Sequence, residues 1–297
     1  MRRRKPFKVK ILFFLFMIFI GIMISYKKLE NSQIKITNKE FVHLITDNTF
    51  SEGENTLLEN LAVKTLEITN PIRLMNKDYQ KYLYFQETDV VMEETSPKIY
   101  LYNTHQTEEY ASSSYAEFSV NPTVIMNNYI LEDVFNKNGY KTIVEESSIK
   151  AILNDHQWNY AESYQASRLL LEESIKKYPS LEYFIDIHRD SLAKDKTTIT
   201  IENTDYAKIL FIIGMENPSY QKNLELTEKI NEKLSAYYPN LSKGIYRKSG
   251  AGVNGVYNQD FSSNTILIEI GGYQNTTTEI LNSSLAFARC FLEVINE

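Results

Sequence analysis

The sequence predicts an α/β domain with a mostly parallel open sheet and helices on both faces, preceded by one transmembrane helix. Three observations point there. After Ser96-Pro97, short apolar runs alternate with longer amphipathic segments, the texture of strands separated by helices. The 297 residues, 43% of them hydrophobic, suffice for one substantial core, because single cores stop growing near this length. Near the N-terminus, residues 11–26 carry no charge.

That run, ILFFLFMIFIGIMISY, falls short of the ~20 residues a bilayer core requires, but Lys8, Lys10, Lys27 and Lys28 can snorkel at its ends. A cleavable signal peptide also combines a basic start with a short apolar stretch. Here Ser25-Tyr26-Lys27-Lys28 lacks the small-residue cleavage pattern, which favours an uncleaved anchor. The cluster MRRRKPFKVK keeps the N-terminus cytoplasmic by the positive-inside tendency. The expectation is a single-pass cell membrane protein with residues after Lys28 outside. The expected division is 1–28 as cytoplasmic tail and anchor, 29–94 as a stalk or accessory region, and 95–297 as the main α/β domain. The stalk region is polar and weakly patterned, with one short helix expected at 55–68 before the Asn70-Pro71 break.

Strands are expected at 98–102, 140–144, 183–187, 197–202, 209–213 and 265–270, and helices at 122–138, 160–177, 220–238 and 277–295. Asn121-Pro122 offers a cap followed by proline at the first helical position, and Gly139 ends that helix. Pro179 and Pro239 close the second and third helices.

Composition narrows the chemistry. The single cysteine, Cys290, excludes a disulfide framework and any thiolate-rich metal site. The net charge is −6, and with six basic residues ahead of the apolar run the remainder is near −12, which argues against nucleic acid as a partner.

His105 and Glu108 follow the strand KIYLY, His188 follows YFIDI, and Glu269 lies near the end of TILIEIGG. In an open α/β sheet the carboxyl ends of the strands converge on one crevice, so residues more than eighty positions apart can meet there. A catalytic zinc commonly takes three nitrogen or oxygen ligands and keeps a fourth place open, a set that His105, Glu108 and His188 provide. A further carboxylate beside the attacking water can carry its proton to the leaving amine, the role expected of Glu269. A lone strand-end histidine is more often structural, the class expected for His43 and His156. Strand alternation puts Asp186 on the same face as His188, so its carboxylate is the expected orienting partner of that ring. Arg189 and Asp190 alone would make a surface ion pair of little energy. The glycines at 250, 252 and 255, with Tyr257-Asn258-Gln259-Asp260, form a polar loop suited to substrate, or only a turn.

The stretches PKIYLYNTHQTEEY, YPSLEYF with DIHRDS, GMENPSYQKNLEL, YPNLSKGIYRKSG and VYNQDFSSNTILIEIGGYQNTTTE, in that order, resemble the stage II sporulation protein P family of membrane-anchored N-acetylmuramoyl-L-alanine amidases. The resemblance runs from about Pro97 to Cys290. It implies a zinc-amidase-like fold and conserved catalytic positions at His105, His188 and Glu269, with the His-x-x-Glu element at His105 and Glu108. Related amidases take a glutamate ligand from the following helix. Here that helix begins PTVIMNNYILED without an acid in its first two turns, so Glu108 is preferred, with Glu109 and then Glu117 as substitutes. The family reads His-Thr-His where this chain has Asn103-Thr104-His105, so Asn103 either preserves structure or alters activity.

The resemblance further implies zinc-dependent hydrolysis of the amide between the muramic acid lactyl group and L-alanine in peptidoglycan. Arg189 would stabilise substrate charge. It implies action in sporulation engulfment beside a lytic transglycosylase partner. Two other readings fit the residues: a zinc peptidase acting within stem peptides, and an inactive wall-binding scaffold.

Overall fold

A computed structural model of the protein describes residues 34–35, 37–46, 96–111, 118–119 and 122–297. The apolar run at 11–26 and the helix expected at 55–68 lie outside them. Among the described residues no helix is long and apolar enough to cross a membrane.

In chain order the elements begin with β1 (Ile34–Lys35), α1 (Asn38–Thr46), β2 (Ile99–Tyr102), β3 (Phe118–Ser119), α2 (Ile125–Lys137) and β4 (Thr142–Val144). Next come α3 (Ile149–His156), a 3-10 turn (Tyr160–Glu162), α4 (Ser163–Lys177), β5 (Tyr183–Asp190) and the short α5 (Lys194–Thr197). The chain ends with β6 (Thr198–Ile201), β7 (Thr204–Ala207), β8 (Ile209–Gly214), α6 (Tyr220–Tyr237), β9 (Ser242–Lys248), β10 (Thr265–Gly272) and α7 (Thr277–Ile295).

The main sheet has the order β4-β2-β5-β10-β8-β9. Its neighbours run parallel except β10 and β8, so the sheet is mixed and mostly parallel. The reversal follows a feature that the expected strand at 197–202 misses. Glu202 and Asn203 both take positive φ, 48° and 65°, and turn the chain into an antiparallel β6–β7 hairpin, from which β8 enters running the other way.

Period-two alternation assigns the faces. Ile99 and Leu101, Ile185 and Ile187, and Ile266, Ile268 and Ile270 point into the larger core, covered by α2, α6 and α7. Tyr100, Tyr102 and Phe184 point the other way, against Leu171 of α4. Helices therefore cover both faces, and β5 buries both of its sides, as a central strand must.

Helix limits follow local chemistry. Tyr178 and Tyr238, each before a proline, leave the helical region, at ψ 77° and 79°, because the proline ring disfavours that region for the preceding residue. Thr276 and Glu279 form a reciprocal capping box at the start of α7. The expected start at Pro122 is displaced: α2 begins at Ile125, since Pro122 O accepts from Tyr110 N at 2.8 Å and Val124 N donates to Glu108 O at 3.0 Å. Backbone bonds to the 108–110 segment take the place of a cap. Strand β9, SKGIYRK, is polar and lies at the sheet edge, so it shows no apolar run in the sequence.

Residues 37–46, from the region expected to be a stalk or accessory layer, pack onto this domain. Phe41 and Val42 are buried against α2, and Lys39 Nζ lies 2.9 Å from Glu146 Oε1. Replacing a fully buried Phe with Ala typically costs about 3–5 kcal/mol. Phe41→Ala is therefore expected to lower the free energy of unfolding by about that amount in urea titration; an unchanged midpoint would show that this helix adds nothing to the domain's stability.

Candidate functional site

The site grows from β5. Asp186 is fully buried, and its oxygens accept from Thr104 N at 2.9 Å and Thr104 Oγ1 at 2.6 Å. Thr104 Oγ1 also bonds Ser167 Oγ at 2.8 Å, and Asn258 Nδ2 reaches the same Ser167 oxygen at 3.0 Å. Asn103 pairs reciprocally with Asn128 and donates to Ile187 O at 2.7 Å. The turn after β2 is thus fastened to β5 on one side and to α2 and α4 on the others, which fixes where His105 emerges.

His105, Glu108 and His188 each place a ligand atom within 4.8 Å of the others. Glu108 sits between the rings: Oε1 is 3.6 Å from His105 Nδ1, and Oε2 is 3.7 Å from His188 Nδ1. Its Oε2 also accepts from Arg189 N at 3.0 Å. Burial pushes the Glu108 carboxyl up, but His105, His188 and the Arg189 amide outweigh it and hold the pKa below the usual range. His188 Nε2 lies 3.0 Å from Asp186 Oδ1, an ion-pair contact without in-line hydrogen-bond geometry. Burial alone would lower the His188 pKa; Asp186, then Glu108 and Glu269, raise it to about 9. The neighbouring acids thus favour positive charge at this ring.

The donor set fits a metal ion. Tetrahedral zinc with bonds of about 2.0–2.2 Å places its donors roughly 3.3–3.6 Å apart. One atom from each residue lies within 4.8 Å of the others, the two oxygens of Glu108 each approach one imidazole at 3.6 and 3.7 Å, the donors are nitrogen and oxygen, and Asp186 backs one imidazole as a carboxylate partner does at metal sites. Of the substitutes, Glu109 uses its carbonyl to accept from Arg189 Nε at 2.7 Å, and Glu117 lies outside the described residues.

Glu269 is in register with His188 across the β10–β5 pair and shares its face. Both belong to one cavity of about 240 Å³, which His105, Glu108, Arg189 and Lys248 also line. The cavity spreads over the face of the sheet, because β5 and β10 run on to Asp190 and Gly272, beyond the expected strand ends. Burial, then the charge of Asp190, raises the Glu269 pKa above the usual carboxylate range. Arg189 and Asp190 do not form a side-chain ion pair with each other: Arg189 donates to the carbonyls of Glu109 and Asp190, while Asp190 Oδ2 pairs with Lys243 Nζ at 2.5 Å.

Three residues of this site escape the sequence reading. Tyr160, 58% exposed, stacks on His105 with ring centroids 4.9 Å apart, and Tyr164 stacks on His188 at 6.3 Å. Their spacing of four at the start of a helical segment is the signal that both face one side. Lys248 lies on the polar edge strand and gives no such signal. His43 and His156 are not in the donor group; His156 stacks on Trp158 at 4.3 Å.

The 250–260 loop is anchored. Gln259 accepts from Gly214 N at 2.8 Å and donates to Ile212 O at 2.7 Å. A Cβ on Gly214 would lie 2.4 Å from Gly255 O, so only glycine permits the close approach. Anchored there, the loop brings Val253, Asn254 and Tyr257 to the cavity wall.

Thr104→Val removes both hydroxyl bonds and leaves a buried Asp186 oxygen without its donor, at a cost of about 1–3 kcal/mol. Chemical denaturation checks this; wild-type stability in the variant would mean that the hydroxyl adds no net energy.

The sequence matches the Stage II sporulation protein P (SpoIIP) family over residues 23–292. It is 32% identical over 204 residues to Stage II sporulation protein P of Bacillus subtilis (strain 168), covering 66% of this chain and 50% of that protein. The chain therefore spans about half the length of this curated relative. Solved structures to which the chain is similar include the CwlD amidase of Clostridioides difficile, in complex with the GerS lipoprotein (14% identity, 67% of this chain and 96% of that one, TM-score 0.44). Another is the N-acetylmuramoyl-L-alanine amidase AmiC2 of Nostoc punctiforme (9% identity, 67% and 98%, TM-score 0.39). With its match extending over most of its length, the chain belongs to the stage II sporulation protein P family.

Proposed function

We propose that this protein is a zinc-dependent N-acetylmuramoyl-L-alanine amidase, hydrolysing the bond between the muramic acid lactyl group and L-alanine in peptidoglycan. The observation that carries the reading is one cavity shared by two imidazoles, a carboxylate wedged between them and a second carboxylate of raised pKa. His105, Glu108 and His188 would hold the metal. A zinc ion held by these residues would supply Lewis acidity toward the scissile carbonyl and the attacking water.

The chain's own groups do the rest. Glu269, with an affinity for protons raised by burial, takes the proton from the attacking water and delivers it to the amine nitrogen that leaves on L-alanine. The guanidinium of Arg189, steered by two backbone carbonyls, has no carboxylate within 4.0 Å among the described residues, so its charge is available to the substrate. Asp186 positions the His188 ring from behind.

The rest of the reading follows from where this substrate lies. Residues 11–26 would anchor the chain, with residues 1–28 as tail and anchor, 29–94 as an accessory region and 95–297 as the catalytic domain facing the wall. The family to which the chain belongs supports a role in sporulation; action in engulfment beside a lytic transglycosylase partner completes the proposal.

Purified full-length protein in detergent with zinc is expected to release stem peptides with a free L-alanine amine from peptidoglycan, detected by mass analysis. Lactyl–alanine junctions left intact overturn the assignment, and cleavage within the stem peptide would make the protein a peptidase. Glu269→Gln is expected to keep its zinc and lose turnover by about 10²–10⁴-fold, the scale of a lost general base. His188→Ala is expected to lose bound zinc by elemental analysis; full zinc content in that variant sinks the ligand assignment.

A further inference from the structure

The cavity extends beyond the groups that the proposed chemistry uses. Ile212 and Leu267 line it next to Glu269, and Lys248 of β9 lines it as well. The register shows how far the Lys248 backbone stands from the reacting centre, while the charge of its ammonium still reaches Glu269, whose pKa it lowers against the effect of burial. Leu267 pairs with Ile212, while Gly214, two residues along β8 and away from the level of Glu269, pairs with Lys248. The Lys248 backbone is thus displaced from Glu269 by four residue rises, roughly 13 Å, and by two strands, roughly 10 Å. Its side chain must extend back toward the apolar floor to line the same space.

Lys248 differs from the other cations of its strand. Lys243 pairs with Asp190 at 2.5 Å and Arg247 with Glu228 at 3.1 Å. Among the described residues no carboxylate lies within 4.0 Å of the Lys248 ammonium, which stands over the Tyr246 ring, 6.0 Å from its centroid. Its backbone is held, since Met215 N donates to Lys248 O at 2.9 Å. A ligand that fills the cavity strips water from this ammonium, which is costly unless the ligand brings a negative charge.

We propose that Lys248 is a specificity-determining residue that binds a carboxylate on the stem-peptide residue next after L-alanine. The inference rests on the amidase reading and names the part of the substrate that the site selects. With the lactyl carbonyl at the His105–Glu108–His188 group and Glu269, the alanine methyl lies over Ile212 and Leu267. The following residue then presents its carboxylate to the ammonium. The order of groups in the cavity, polar centre, apolar floor, cation, matches the order in the substrate: amide, methyl, carboxylate.

The test uses the zinc-loaded full chain and two compounds, N-acetylmuramoyl-L-alanyl-D-glutamate and its D-isoglutamine counterpart, each with the γ-carboxyl capped as a methylamide, so that the α-carboxylate of the first is the only carboxylate in the pair. Loss of one charge-assisted contact corresponds to roughly 10–100-fold in kcat/KM. Wild type is expected to favour the acid by that factor, mainly through KM. Lys248→Met is expected to collapse the gap and Lys248→Arg to keep it. A wild type indifferent to the amide, a gap that survives in Lys248→Met, or an equal loss on both compounds overturns the proposal. Should wild type leave the lactyl amide of both compounds intact, the amidase reading fails separately. Calorimetric titration of the same pair then decides on Lys248: tighter binding of the acid, abolished in Lys248→Met, supports it, while equal affinities or no binding overturn it.

Discussion

The arrangement depends on one buried carboxylate. Asp186 has no exposure to water, and its carboxyl oxygens are satisfied there by two donors from Thr104, with the His188 imidazole 3.0 Å away. These contacts tie three things that the sequence keeps far apart: the strand that carries His188, the turn that leads to His105, and, through Ser167, helix α4. Glu108 is drawn into the same frame, since the amide of Arg189, the residue after His188, donates to its carboxylate. The donor group is thus referenced to a single strand, and errors in one loop do not propagate to the others. Such positioning is what a hydrolytic centre requires, because displacements near 1 Å are costly in rate.

A second constraint follows from how the sheet is covered. Helix α4 packs over the β2–β5 part of one face, and over β10 and β8 the 250–260 loop is held down through Gln259, while Asn258 joins it to α4. The loop stands in for a second helix and leaves a cavity that a packed helix would fill. Tyr257 and Asn258 take positive φ, 56° and 55°, inside this anchored segment. A bulky residue in that region is strained, and such strain persists only where the surroundings over-determine it. Here the cavity wall is where the strain is held.

Much of this was legible in the sequence, for identifiable reasons. Strands β2, β5, β8 and β10 are apolar runs bounded by turn residues, and the prolines after Tyr178 and Tyr238 mark helix ends by sterics alone. Asp186 and His188 share a face because strand alternation admits no other outcome. What was not legible depends on tertiary partners. Strand β9 forms because it pairs with β8, although its residues are mostly polar. The start of α2 is set by backbone bonds to residues 108–110, which no local cap signal encodes. Lys248 joins the cavity only through the register of an edge strand, so its spacing from Glu269 in the chain carries no information.

Asn103 shows what a buried polar position can and cannot change. The resemblance leads one to expect histidine there. The structure shows an amide 2% exposed whose donor and acceptor both face Asn128, at 3.1 and 2.9 Å, with a further bond to Ile187 O. An amide satisfies these partners without adding charge beside the donor group. Neither the cavity lining nor the donor group includes Asn103. The departure therefore acts on the seam between the β2 turn, β5 and α2, leaving the set of groups that would bind metal and carry the proton intact.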